Sequence, residues 1–93
     1  FLINKIIFKD IFYFFYLIEV EKFNIDEINK LYSKDTNKIN PIKLVNIIGT
    51  DTSLSILENL KKHDETFYIP IMLKKAVKNN ILGNKNKKIF KVS

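Results

Sequence analysis

The sequence predicts an α+β fold in the element order β-α-β-α-α-β. Three observations predict it. "IFYFFYLI" (Ile11–Ile18) is an unbroken run rich in aromatic and β-branched residues, the composition of a buried strand. "NIDEINKLYSK" and "LSILENLKKH" repeat apolar residues at helical spacing. The closing "KIFKVS" alternates Ile89 and Lys91 against Phe90 and Val92, the period of a strand.

In chain order, "INKIIF" is either a first strand or an irregular lead-in, and a strand follows over 11–20. Asn24 then stands as an N-cap with Glu27 at N3, before Ile25, Ile28, Leu31 and Tyr32 on one helical face. "SKDTNKIN" is a polar loop. "PIKLVNII" opens on Pro41, which a strand accepts at its first residue, and ends at Gly49. The next helix presents Leu54, Ile56, Leu57 and Leu60 on one face, with Ser53 and Ser55 equally good caps. "HDETFY" interrupts the pattern, and Pro70 suits the first turn of a third helix over Ile69–Leu82 that stops at Gly83. On that helix Ile69, Met72, Leu73, Ala76, Val77 and Ile81 share a face. Lys74, Lys75 and Lys78 occupy a separate arc with Ile71.

Ninety-three residues make one small domain. There is no Cys and one His, which excludes disulfides, cysteine metal sites and a Cys–His catalytic pair. The expectation is a non-enzymatic protein with no cofactor and no metal site. Ile (16), Lys (16) and Asn (11) dominate, against one Ala and no Arg. The favoured residues have A/T-rich codons, so an A/T-rich genome is inferred, with a mitochondrion leading and another such organelle or a bacterium also fitting. A start at Phe1 implies processing, unconventional initiation or a fragment. The apolar run falls far short of the roughly 20 residues needed to cross a bilayer, so no membrane span is expected. It also lacks the features of a transit or secretory leader.

The net charge of +6 is uneven. Residues 1–60 carry 7 Lys and 8 acids, a balance of −1; residues 61–93 carry 9 Lys and 2 acids, a balance of +7. Such an asymmetry points to a polyanionic partner. Lys74, Lys75, Lys78, Lys85, Lys87, Lys88 and Lys91 are the candidate phosphate contacts, acting as point charges without base specificity. A solvated lysine face in a lysine-biased proteome explains the same residues equally well. Asp64 and Glu65 suit a solvated turn, and His63 a helix C-terminus. Phe12, Tyr13, Phe14, Phe15 and Tyr16 suit core or interface packing better than base stacking. There is no P-loop, GxGxxG or GxxG motif.

"SILENLKKHDETFYIPIMLKKAVKNNILGNKNKKIFKVS" resembles the centre of the universal small-subunit ribosomal protein three family. There a "LxxQLEKR" helix leads through a turn to "F-R-R-A-M-K-R-A-V-Q-N-A-M" and then "GAKGIKVEVSGRL". The resemblance is specific over about 40 residues and rests upstream on element order. It implies a degenerate KH-like β-α-β over 1–50, and over 51–93 the α-α-β start of an incomplete C-terminal domain. The GxxG loop is replaced by "EVEKFN", and the family's Arg pair falls on Pro70 and Ile71, leaving Lys74 and Lys75 as the adjacent basic pair. The implied function is a structural constituent of a mitochondrial ribosome's small subunit. It would bind rRNA of the head where mRNA enters, with mRNA itself a further contact. Implied partners are that rRNA, neighbouring head proteins, and a separate chain completing the sheet beyond Ser93. The alternative is a small accessory subunit of a mitochondrial inner-membrane complex, packed through its aromatic stretch.

Overall fold

The computed structural model describes residues 2–34 and 39–92. Among them stand five α-helices: α1 (Leu2–Glu19), α2 (Ile25–Lys34), α3 (Pro41–Ile48), α4 (Thr50–His63) and α5 (Ile71–Lys78), followed by a 3-10 turn at Asn84–Asn86. No strand occurs among the described residues; Gly83 and Lys88 form one isolated antiparallel bridge. The expected α+β fold, with its KH-like β-α-β and closing strand, is therefore corrected to an all-helical one.

The first expected strand lies inside α1. Phe8, Ile11 and Phe15 recur at helical spacing with Phe14 beside them, all buried, while Lys9, Asp10 and Tyr13 face solvent. The β preference of aromatic residues reflects packing against neighbours more than the backbone itself, and an 18-residue helix offers that packing too. Helix α2 begins as its sequence predicts, the Asp26 N–H donating to Asn24 Oδ1 at 2.8 Å. Its Ile28 is buried, whereas Leu31, expected on the same face, is 66% exposed.

The second expected strand is α3. Asn40 Oδ1 accepts the Ile42 N–H at 2.8 Å, and Pro41 takes the first helical position, where no N–H is required. Gly49, at φ 104°, both closes α3 and precedes α4. Helix α4 thus starts before either Ser53 or Ser55. Thr50, buried at its start, ties it to the chain after α5: its Oγ1 donates to the Ile81 carbonyl (2.6 Å) and its N–H to that of Leu82 (3.2 Å).

Helix α5 is shorter than expected at both ends, with Pro70 as N-cap. It stops in a Schellman arrangement: the Ile81 N–H donates to Ala76 O (2.8 Å) and the Asn80 N–H to Val77 O (3.1 Å). Asn80, at φ 58°, takes the left-handed position that the sequence reading gave to Gly83.

Beyond it the chain folds back in a knot of side-chain bonds. Asn86 Oδ1 accepts the Lys88 N–H (3.1 Å), and Asn86 Nδ2 donates to Asn80 O (2.7 Å). The predicted alternation survives without a sheet: Phe90 is 4% exposed and Val92 half-buried, while Ile89 and Lys91 face out. Phe90 packs on Phe15 of α1, ring centroids 5.9 Å apart. Its backbone N–H and carbonyl both bond to Asn46, so the unpaired strand edge that called for a second chain does not exist at Phe90.

One core joins all five helices, from Phe8, Phe14 and Phe15 through Ile28, Val45, Leu57 and Phe67 to Leu73, Ala76 and Phe90. Helix α4 packs against α1, α3 and α5. Among the described residues no helix is long and apolar enough to cross a membrane.

Candidate functional site

Among the described residues, a larger and a smaller concavity open to solvent. The larger, a cleft of about 630 Å³, lies where α2, α3 and the C-terminal segment meet. Asn29, Asn40, Asn46 and Asn84 line it with Lys43 and Lys91; Ile42, Ile47, Ile89 and Phe90 supply its apolar surface.

Three of these amides act first as structure. Asn46 Nδ2 donates to Ile42 O (3.0 Å) and Phe90 O (2.9 Å), and its Oδ1 accepts the Phe90 N–H (2.7 Å). Asn40, its Oδ1 engaged in capping α3, donates from Nδ2 to Asn29 Oδ1 at 2.9 Å, which joins α2 to α3. The Asn84 side chain and the Asn29 amide N–H are left without a partner among the described residues, and Lys43 and Lys91 form no ion pair there. The cleft thus offers amide donors and two cations around an apolar floor, and neither a carboxylate nor an imidazole lines it. This chemistry suits holding a polar anionic ligand better than moving protons near neutral pH.

The smaller concavity, about 460 Å³, is aromatic, with Phe12, Tyr13, Tyr16, Phe67 and Tyr68 along it and Lys61 and Glu65 at its edge. Tyr13 and Tyr16 stack at 6.3 Å, and Tyr68 meets Tyr16 edge-on at 5.6 Å. Phe14 and Phe15, the other members of that aromatic run, are fully buried in the core.

The seven candidate lysines are all exposed. Lys74, Lys75 and Lys78 lie on the outer arc of α5, and Lys85, Lys87, Lys88 and Lys91 along the C-terminal segment. Of the seven, Lys91 lines the larger cleft, and none lines the aromatic concavity. Lys85 is engaged, its Nζ 2.7 Å from Asp51 Oδ1 and 3.2 Å from Thr52 Oγ1. That bond holds the Asp51 carboxyl below the usual carboxylate range. Asp64 is held low by the Thr66 hydroxyl, 2.6 Å away, and Lys5 lies 3.8 Å off. His63 ends α4 and lines neither concavity. No group of three or more His, Cys, Asp or Glu among the described residues is placed to hold a metal ion.

Sequence reasoning missed Lys43 and the four asparagines of the larger cleft. One signal was present in Asn40–Pro41, a cap followed by its first helical residue. The rest was hidden because asparagine was attributed to codon composition.

The family model for "3-hydroxyacyl-CoA dehydrogenase, C-terminal domain" matches residues 1–92. No curated protein matches the chain significantly, and no solved structure does. The match overturns the resemblance to small-subunit ribosomal protein three, and with it the ribosomal function, the rRNA, mRNA and head-protein partners, and the chain that would complete a sheet. The resemblance rested on an amphipathic helix, a turn, a lysine-rich helix and a basic segment, an order that helical proteins of many kinds share. The inner-membrane alternative finds no support either. A dehydrogenase family also conflicts with the expectation of a non-enzymatic protein.

Proposed function

We infer that the chain, which belongs to the 3-hydroxyacyl-CoA dehydrogenase C-terminal domain family, serves as the helical part of an enzyme that oxidises 3-hydroxyacyl-CoA thioesters. The reaction removes a hydride from C3 and a proton from its hydroxyl, leaving a 3-ketoacyl thioester. It needs a two-electron acceptor and a base poised near the working pH. The family match over residues 1–92 carries the reading.

The residues lining the two concavities support a division of labour within that reading. The larger cleft holds amides and ammonium groups, and the chain's single imidazole, His63, lies outside both. This domain therefore contributes ligand binding and framework, and the hydride-transfer centre lies outside these clefts. Immunocapture of the protein from its native cells, followed by assay with a 3-hydroxyacyl-CoA and a panel of two-electron acceptors, tests the reading. Captured material should form the 3-ketoacyl thioester. Capture that depletes the chain from the extract and brings down no such activity would overturn it.

A further inference from the structure

We propose that the smaller, aromatic concavity binds a quaternary ammonium group, the chemistry shared by free choline-type cations and choline lipid headgroups. The proposal goes beyond the enzymatic reading and does not depend on it.

The lining points to a cation. Phe12, Tyr13 and Tyr16 of α1 and Phe67 and Tyr68 of the segment after α4 bring five rings to one concavity of about 460 Å³. That volume falls within the roughly 300–1,000 Å³ typical of small-molecule sites. Isoleucine supplies 16 of the 93 residues, yet among the described residues no Ile, Leu, Val or Met lines this concavity. The larger cleft, by contrast, takes Ile42, Ile47 and Ile89. A surface that served only to bury an apolar partner would draw on aliphatic and aromatic side chains alike. A cation draws on aromatic faces alone, where the ring quadrupole is negative. The rings also stand in two orientations: Tyr13 and Tyr16 lie 11° from parallel, and Tyr68 stands at 83° to Tyr16. Such a corner lets methyl groups that point in different directions each meet a ring. Neighbouring centroids are 5.0 to 6.3 Å apart, so one cation can lie within about 6 Å of more than one of them. Glu19 accepts the Tyr68 hydroxyl hydrogen bond, which fixes that ring and makes it more electron-rich. Glu65, exposed at the edge, adds a carboxylate opposite in charge to the ligand, while Lys61 at the same edge opposes it. Ring faces offer no strong acceptor for N–H groups, so a fully methylated nitrogen fits better than a primary ammonium, which would lose its hydration unrepaid.

The test is titration of the isotope-labelled protein with choline and with neohexyl alcohol, its uncharged isostere with carbon in place of nitrogen, following the ring resonances of Tyr13 and Tyr16. Choline should shift them saturably and bind about fivefold or more tightly than the isostere. Tyr13→Leu keeps an apolar side chain at a position 53% exposed, and should weaken choline binding about fivefold. Glu65→Gln should weaken it about twofold and Lys61→Ala strengthen it about as much, the pair of opposite signs that a cation gives. Lys43→Ala in the larger cleft should change nothing. Phosphatidylcholine vesicles that displace choline would uphold the site and assign it to a lipid surface; vesicles that leave choline bound would uphold it for free cations. Equal affinity for choline and its isostere would overturn the proposal and make the concavity an apolar docking face. Choline shifts that are absent or map elsewhere would overturn it too, as would unchanged affinity in a Tyr13→Leu variant that keeps the parent Tm.

Discussion

The side-chain amide of Asn46 pairs with the backbone of Phe90 in both directions, Nδ2 donating to its carbonyl at 2.9 Å and Oδ1 accepting its N–H at 2.7 Å. One residue of α3 thereby does what a neighbouring strand would do for the C-terminal segment. The bond pair holds Phe90 against Phe15 and seats Lys91 beside the cleft. Asn46→Ala removes both bonds and leaves two backbone groups of a 4% exposed residue unpaired, so a loss of about 2–4 kcal/mol is expected. Urea denaturation should show a lower midpoint, and hydrogen exchange at the Phe90 N–H should accelerate. A shift under about 1 kcal/mol would mean that water replaces the amide at little cost.

The two glycines should respond differently to alanine. Both hold positive φ, 104° at Gly49 and 91° at Gly83, where a side chain is strained. At Gly83 a Cβ would stand 2.7 Å from the Asn46 carbonyl oxygen and 2.9 Å from its Cα, atoms fixed in the backbone of α3. At Gly49 it meets only side-chain atoms, the far end of Lys85 and Asp51 Oδ1 at 2.9 Å, which can give way at the cost of their exposed ion pair. Gly49→Ala should cost about 1–2 kcal/mol and Gly83→Ala clearly more, about 3 kcal/mol or above. Thermal unfolding of the two variants orders them directly; equal Tm losses would place the strain in φ alone.

The Asp51–Lys85 pair holds the 3-10 region to the start of α4, where a carboxylate also complements the helix dipole. Both side chains are about two-fifths exposed, so Asp51→Asn should cost under about 1 kcal/mol, and less in high salt. Asp51 is held low when folded, so its contribution is complete above the ordinary carboxylate range and is lost as pH falls through the lowered value. The gap in urea midpoint between parent and Asp51→Asn should therefore close below about pH 4. A gap that persists there would show that the charge is not its source.

What could be read from the chain alone was governed by how locally each signal is encoded. Helix α2 has its cap, its acidic first turn and its apolar spacing within eleven residues, and its span and cap form as read, though Leu31 leaves the buried face. The buried face of α4 was legible for the same reason. Helix α1 was missed because eight consecutive apolar residues erase the contrast that reveals a period; only Lys5, Lys9 and Asp10, outside that run, restore it. For α3 the decision lay in one side-chain bond from Asn40, which Pro41 permits but does not announce. The cleft was least legible, because it is assembled from α2, α3 and the segment after α5 by bonds spanning 11 and 44 residues. Asparagine's abundance concealed that four of its copies converge there.

Glu19, at the end of α1, supplies the cap that Pro70 cannot give α5. Its carboxylate accepts the Ile71 N–H at 2.8 Å, the Met72 N–H at 2.7 Å and the Tyr68 hydroxyl. A carboxylate at a helix N-terminus also meets the positive end of the dipole. Glu19→Gln keeps the shape and loses the charge, so a cost of about 1–2 kcal/mol is expected at neutral pH. The Tyr68 phenol is pushed well above its usual range, first by burial and then by its bond to Glu19 and that group's charge. A raised pKa in the folded state means that the unfolded chain loses this proton first. Stability from Tyr68 is thus intact below about pH 10 and declines as pH rises toward the raised value. Tyr68→Phe should be less stable than the parent at neutral pH, and the difference should narrow on the alkaline side. Tyr32, raised chiefly by burial, leaves a residual slope in both proteins, so the informative quantity is the difference in Tm between them from about pH 8 to pH 11. A constant difference across that range would show that Tyr68 ionises as readily folded as unfolded.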